Sequence, residues 1–331
     1  MPATEIPSLA AKVRPLEAGG HVVAIAFLGE SAAFALGEGD VLFAGESEKR
    51  VQAHAGAILT ATSDGRHIFT AGDDGRLVAV GLQGDPDTLA EAEGKWIDHV
   101  ALGPEGALAW SAGRMAFVRT EKQERSFELP STVGGLAFAP KGLRLAVTHY
   151  NGATLWFPNA HEAKPETLSW KGSHLGALFS PDGRFLVTAM QEPALHGWRL
   201  ADGQHMRMSG YPGRVRSMQF TAGGDWLVSS GAKEVILWPF RTRDGPMGKP
   251  PLMLAPGPME ARVSAVACHP KQETIAAGYG DGTVLLLRLE DGAVILVRQT
   301  SEAPVSAIAW RGDGRLLAFG TEDGQAGVLE L

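Results

Sequence analysis

The run His205-Met206-Arg207-Met208 places two metal-ligating residue types within four positions. On a strand, His205 and Arg207 point to one face and the two methionines to the other, which divides the donors. Methionines filling the gap between outer strands are therefore expected there. His196, two residues before Trp198, is expected as a hydrogen-bonded histidine between repeats rather than a ligand. Cys268 is the only cysteine, which excludes an internal disulfide and a Cys-based zinc cluster. It ends an apolar run and is expected as a buried, inert thiol. GPMGKP (245–250) has Gly-Lys but lacks the Ser/Thr and the spaced glycine of a phosphate loop. Neither H-E-x-x-H nor G-x-S-x-G occurs. No cofactor and no catalytic residue are expected from these patterns.

One stretch departs from its surroundings. In TAMQEPALHGWRL (188–200), the turn between two strand-forming runs is Gln191-Glu192-Pro193. Comparable turns in this chain carry Asp-Gly. Proline fixes φ near −65° and has no N–H, so this turn cannot copy Asp-Gly geometry. A stiff tip that presents Gln191 and Glu192 is expected, either as a contact or as a structurally tolerated substitution in the turn, with Glu192 paired to Arg214 or Arg216 as a further, purely structural role.

The elements that hold these residues repeat along the chain. Apolar opening strands recur at VVAIAF (22–27), AILTAT (57–62), WIDHVAL (96–102) and VGGLAF (133–138). They continue at HLGALF (174–179), VRSMQF (215–220), VSAVAC (263–268) and VSAIAW (305–310). Turns follow in register. SDGR (63–66), SPDGR (180–184) and GDGR (312–315) come after first strands. AGDDGRL (71–77), GYGDGTV (278–284) and GTEDGQA (320–326) come after second strands. Asp bonds its own turn and Gly accepts positive φ. Third strands include GATLW (152–156), ALHGW (194–198) and EVILW (234–238). Outer strands are expected at KRVQAH, RSFEL, ETLSW, HMRMS, PLMLA and AVILVRQ.

SPDGR, GDGTV and the strand-ending Trp156, Trp198 and Trp238 make the chain resemble the WD-repeat β-propeller family, from about Val13 to Leu331. The repeats are degenerate. Gly-His survives only approximately, at Ala53-His54, and Trp-Asp is lost throughout, so the family's Asp–His–Ser/Thr–Trp network is expected to be incomplete in most blades. The resemblance implies one all-β domain over 1–331. Eight triplets imply eight four-stranded blades; the alternative is seven, with one weak repeat as a cap. The last triplet has no outer strand of its own. KVRPLEA (12–18) is expected to pair with VLEL (328–331), completing the last blade and closing the ring.

The resemblance also implies that second-to-third-strand turns and the lead-ins to first strands ring the channel mouth, where partners dock. The partner-binding residues expected there are Trp96, His149, Tyr150, His174, Gln191, Glu192, Arg214, Arg216, Lys233, Arg262 and Tyr279, with Asp73 and Asp74 on the same rim. Aromatic and Arg side chains are the types that dominate interface hot spots. Acids gather in residues 38–93 and bases in 207–249, a polarity that would orient a partner. The net charge of −7 argues against general nucleic-acid binding. No apolar run approaches roughly 18 residues, and the N-terminus lacks a leader pattern, so a cytoplasmic, membrane-free protein is expected. The expected function is a non-catalytic scaffold, monomeric by itself, binding a protein or peptide. Two alternatives stand beside it: an enzyme or small-ligand binder using the channel mouth, and a metal-handling accessory protein.

Overall fold

The computed structural model describes residues 6–160, 164–254 and 260–331. It is almost entirely β: the only helical pieces among these residues are single 3-10 turns at Ala10–Lys12 and Pro104–Gly106. Contacts divide the chain into two compact units. One comprises Met1–Phe27 with Arg216–Leu331, the other Leu28–Val215.

The first unit has three antiparallel sheets. One runs Met218–Phe220, Trp226–Ser229, Val235–Pro239 and Leu252–Leu254. The next runs Val263–Cys268, Thr274–Tyr279, Val284–Arg288 and Val294–Arg298. The third joins Val305–Trp310, Leu316–Thr321 and Gln325–Glu330 to Val13–Glu17 from the other end of the chain. Val13 pairs with Leu329 and Glu17 with Gln325, as the sequence predicts. Pro15 lies on this outermost strand, where its missing N–H costs no ladder bond. Gly327, opposite Pro15, leaves the space that lets the strand lie close: a Cβ there would strike Val13 and Phe319.

Inner strands of this unit are stapled by a repeated serine. Ser264 Oγ donates to Val305 O at 2.6 Å and Ser306 Oγ to Val22 O at 2.6 Å. Ser217 Oγ accepts from Val266 N–H at 3.0 Å. The V-S-A runs at Ser264 and Ser306, and V-R-S at Ser217, thus place a hydroxyl where one inner strand meets the next. Gly278 and Gly320 make the matching room, since a Cβ on them would collide with Val305 and Val22.

The second unit has four sheets. Ser31–Leu36, Asp40–Ala44 and Glu48–Gln52 form one. Ile58–Ser63, His67–Gly72, Arg76–Gly81 and Asp87–Glu91 form the second; His99–Leu102, Leu108–Ala112, Met115–Arg119 and Glu124–Glu128 the third. The fourth has six strands: Gly135–Phe138, Leu145–Trp156, Glu166–Phe179, Phe185–Met190, Ala194–Arg199 and His205–Ser209.

Seven sheets therefore form, and the expectation of eight separate blades is corrected. The fourth and fifth repeats share a sheet because the ladder between them never breaks. The turn in Leu145–Trp156 is compressed to Tyr150-Asn151-Gly152, with Asn151 at φ 67° and Gly152 at φ 144°. Pairing of Tyr150 with Ser173 then runs straight into the next repeat, whose His174 pairs with Met190.

Outer strands appear where expected, although Ala255 of PLMLA lies outside the described residues. Asp87–Glu91 (DTLAE) is an outer strand that its polar composition hides. The tryptophans pack as strand pattern predicts: Trp156 stacks on Phe127 at 5.7 Å, and Trp198 joins Leu155, Leu168 and Leu186. No helix among the described residues is long and apolar enough to cross a membrane.

Candidate functional site

Strand directions alternate within a sheet, so each second-to-third-strand turn and each link into the following first strand lie at the same end. In the second unit this end carries a continuous line of hydrogen bonds. Tyr150 N–H donates to Ser131 Oγ at 2.9 Å, and Gly172 N–H to Asn151 Oδ1 at 3.2 Å. Gln191 N–H donates to Ser173 O at 2.9 Å, and Arg214 Nη1 to Gln191 Oε1 at 2.9 Å. Five successive turns and links are thereby tied together.

The side chains displayed on this line are large and mixed in character. Tyr150 is 59% exposed and Leu175 37%, while Lys171, Gln191, Glu192, Pro193 and Arg214 are all exposed. Glu192 lies over the backbone of Gly172, whose missing side chain admits it: a Cβ there would come within 3.1 Å of the carboxylate. The tip at 191–193 is held by Arg214 through Gln191, not through Glu192 as one expectation had it. Trp96, on the link into another first strand of this unit, is 61% exposed.

Three residues expected on the rim are buried instead, which corrects their placement. His149 is 3% exposed; its Nδ1–H donates to Tyr150 O at 2.8 Å and its Nε2 faces Thr154 Oγ1 at 2.9 Å. His174 is 1% exposed, with Nε2–H donating to Trp170 O at 3.1 Å and Nδ1 2.8 Å from the Thr188 hydroxyl. Burial holds its pKa below the ordinary histidine value, against the hydrogen bond to Trp170 and the charge of Glu192. Both histidines brace the rim from below. Tyr279, in the first unit, is fully buried. Residues near a turn still alternate inward and outward, so a place at the rim does not ensure display.

In the first unit, Arg216, Lys233 and Arg262 are exposed. Lys233 Nζ meets Glu260 at 2.8 Å, which holds that carboxyl below its usual range. Asp73 and Asp74 serve the fold. Asp73 accepts Ala57 N–H at 2.7 Å, and Asp74 sits 2.9 Å from His54 Nδ1 while His54 Nε2 lies 2.9 Å from Thr70 Oγ1. The degenerate Ala53-His54 thus still forms an Asp–His–Thr network without a tryptophan.

The buried hydroxyl of Tyr279 has no hydrogen-bond partner among the described residues. Burial, then the charges of Asp281 and Glu234, push its pKa up. Deleting an unsatisfied polar group removes a desolvation penalty. Tyr279→Phe is therefore expected to leave stability unchanged or raise it by up to about 1 kcal/mol. Urea denaturation checks this; a loss of more than about 1 kcal/mol would mean the hydroxyl is bonded.

Cys268 is buried, and burial with the nearby charge of Glu273 pushes its thiol up to about 12. That thiol is no nucleophile near neutral pH. His205 points outward while Met206 and Met208 are buried, the split expected from strand alternation. Among the described residues, no three His, Cys, Asp or Glu side chains converge as a metal site. The rim residues that sequence reasoning passed over are Ser131, Asn151, Lys171 and Leu175. Asn151-Gly152 was the legible signal, a dipeptide suited to positive φ.

Residues 266–331 match the family model of the anaphase-promoting complex subunit 4 WD40 domain. Telomerase protein component 1 of Mus musculus is 24% identical over 217 residues, 64% of this chain and 8% of that protein. WD repeat-containing protein 55 of Rattus norvegicus is 22% identical over 214 residues, 62% of this chain and 53% of that protein. The matches thus span about half or far less of these relatives. Among solved structures, the computationally designed Ika8 protein aligns with a TM-score of 0.75 at 16% identity, covering 99% of this chain and 100% of that one. The RRP9 WD40 repeats align with a TM-score of 0.64 at 15% identity, covering 99% of each. At these identities the likeness speaks for the fold, a β-propeller.

Proposed function

Because the chain belongs to the WD-repeat β-propellers, a family typically built for protein interaction, we propose that it is a non-catalytic scaffold that docks a protein or peptide on the rim of its second unit. The observation that carries this reading is the bonded line from Ser131 to Arg214, which displays Tyr150, Leu175, Glu192 and Arg214 together. A half-exposed tyrosine on a pinned turn offers contact area at little cost in side-chain entropy. Arg214 and Glu192 add charges of both signs, which fix a partner's orientation more than they tighten its grip. Two of the proteins it resembles are named as a component and as a subunit of a complex, which favours a place in an assembly. Trp96 is a further anchor on the same unit. In the first unit, Arg216, Lys233 and Arg262 are proposed as secondary contacts.

A photo-crosslinking amino acid at position 150, introduced in the native cell, tests the rim. The expected result is a discrete crosslinked protein that is absent when the same group replaces Arg66, at the opposite end of its sheet. Arg214→Glu in the same background should weaken that crosslink severalfold without lowering the melting temperature. Identical crosslinks from positions 66 and 150 would remove the rim as the docking surface.

A further inference from the structure

The outermost strand of a sheet presents a row of unpaired N–H and C=O groups that invites another strand. Most outer strands here carry charges that discourage it. Glu48, Lys49 and Arg50 are exposed, as are Asp87 with Glu91 and Glu124 with Glu128. Two outer strands of the first unit are apolar instead: Val294–Arg298 (VILVR) and Leu252–Leu254 (LML).

The chain covers the first of these itself. Leu296 N–H donates to Pro7 O at 2.8 Å, Leu9 N–H donates to Leu296 O at 2.7 Å, and Ser8 pairs with Leu296 in parallel. An extended segment is thus added to that edge as one further strand. Leu252–Leu254 receives no such cover among the described residues. It pairs inward only, Leu252 with Leu237, Met253 with Ile236 and Leu254 with Val235. Leu252 is 42% exposed and Met253 54%. The loop that leads into this strand carries Arg241, paired with Asp225 at 3.4 Å, and Arg243 and Lys249 against Asp244, which leaves a basic excess in a chain of net charge −7.

We infer that the edge Leu252–Leu254 is a second docking site, taken by an extended acidic and apolar segment of another protein that adds to the sheet as a fifth strand. Main-chain bonds would supply affinity, and alternate side chains would read the surface. Apolar residues of the incoming strand would extend the patch of Leu252 and Met253, while its acids would meet the basic excess of Arg243 and Lys249. This site is independent of the rim.

The probe is the blocked peptide Glu-Val-Glu-Val-Glu-Val-Glu, with a Lys-for-Glu counterpart, and the readout is amide hydrogen exchange on the full chain. The acidic peptide should slow exchange at residues 252–254. Binding should weaken by about tenfold for the lysine peptide, and by about tenfold for Met253→Glu, a variant of an exposed residue whose melting temperature should not change. No slowing at millimolar acidic peptide would overturn the inference, as would equal slowing by both peptides. Concentration-dependent protection of the same strand without peptide, abolished by Met253→Glu, would assign the edge to a second copy of this chain and overturn it too.

Discussion

A chain lacking residues 1–18 is expected to lose its single cooperative unfolding transition and to aggregate at temperatures the intact protein tolerates. Two edges would be stripped at once. Val13–Glu17 is the outer strand paired with Gln325–Glu330, and Pro7–Leu9 covers Val294–Arg298. Leu16 is 6% exposed, and Leu9 and Val13 pack against the cluster of Val297, Leu317, Phe319 and Leu329. Full burial of a Leu or Val side chain stabilises by about 1.5–3 kcal/mol; Leu16 contributes on that scale and the half-buried Leu9 and Val13 add less, together a sizeable share of a typical domain's roughly 5–15 kcal/mol. Leu16→Asp should reproduce much of the loss without altering chain length. Calorimetry and light scattering provide the check: a truncated chain that melts like the intact one would mean that the sheet of Val305–Trp310 needs no strand from the N-terminal segment.

The second large effect is acid sensitivity, centred on His196. Its ring is fully buried, and neither nitrogen has a hydrogen-bond partner among the described residues. It stacks on Trp170 at 4.2 Å, meets Trp198 at 4.6 Å, and has His205 and His174 at 5.3 and 6.1 Å. Burial first, then the neighbouring charges of His174, His205 and Arg207, bring its pKa down to about 3. The unfolded chain would protonate this histidine near its ordinary value of about 6.5. Below that pH the unfolded state binds a proton that the folded state refuses, so stability falls as pH falls, down to about pH 3. Above about 6.5 the group costs nothing. The slope should approach about 1.4 kcal/mol per pH unit for one such group. His174, lowered in the same direction, adds to it. His196→Phe keeps the ring stack and removes the titration. Urea midpoints measured from pH 7 to pH 4 should fall less steeply in this variant, and parallel curves would show that His196 is not the source.

Much of the architecture was legible because strand period and turn chemistry agree locally. Asp-Gly turns fixed the hairpins, and the leftover KVRPLEA could go only to a sheet that lacked an outer strand. The merging of two repeats was not legible. It depends on whether the ladder breaks between Tyr150 and His174, a matter of two backbone angles at Asn151 and Gly152. The rim was legible by position but not by direction. A turn's place in the repeat tells which end of the sheet a residue occupies; it does not tell which way the side chain leans. Tyr150 and His149 are neighbours, yet one is displayed and the other buried. The serine staples left a readable mark in the recurring V-S-A, but their partners lie 41 residues away in one case and 284 in another.

Pairing of Val13–Glu17 with Gln325–Glu330 also sets a timetable for biosynthesis. Val13–Glu17 leaves the ribosome about 300 residues before the strand it pairs with. At about 5–20 residues per second, the earlier strand waits some tens of seconds with its hydrogen-bonding groups and Leu16 unpaired. Sheets in between can form as their own strands appear, since their pairings are local. The sheet of Val305–Trp310 cannot, and its completion waits on a long-range pairing. During that interval the nascent chain is a natural client for holding chaperones, and a ribosome stalled before residue 325 would present the same exposed edge as the truncated protein.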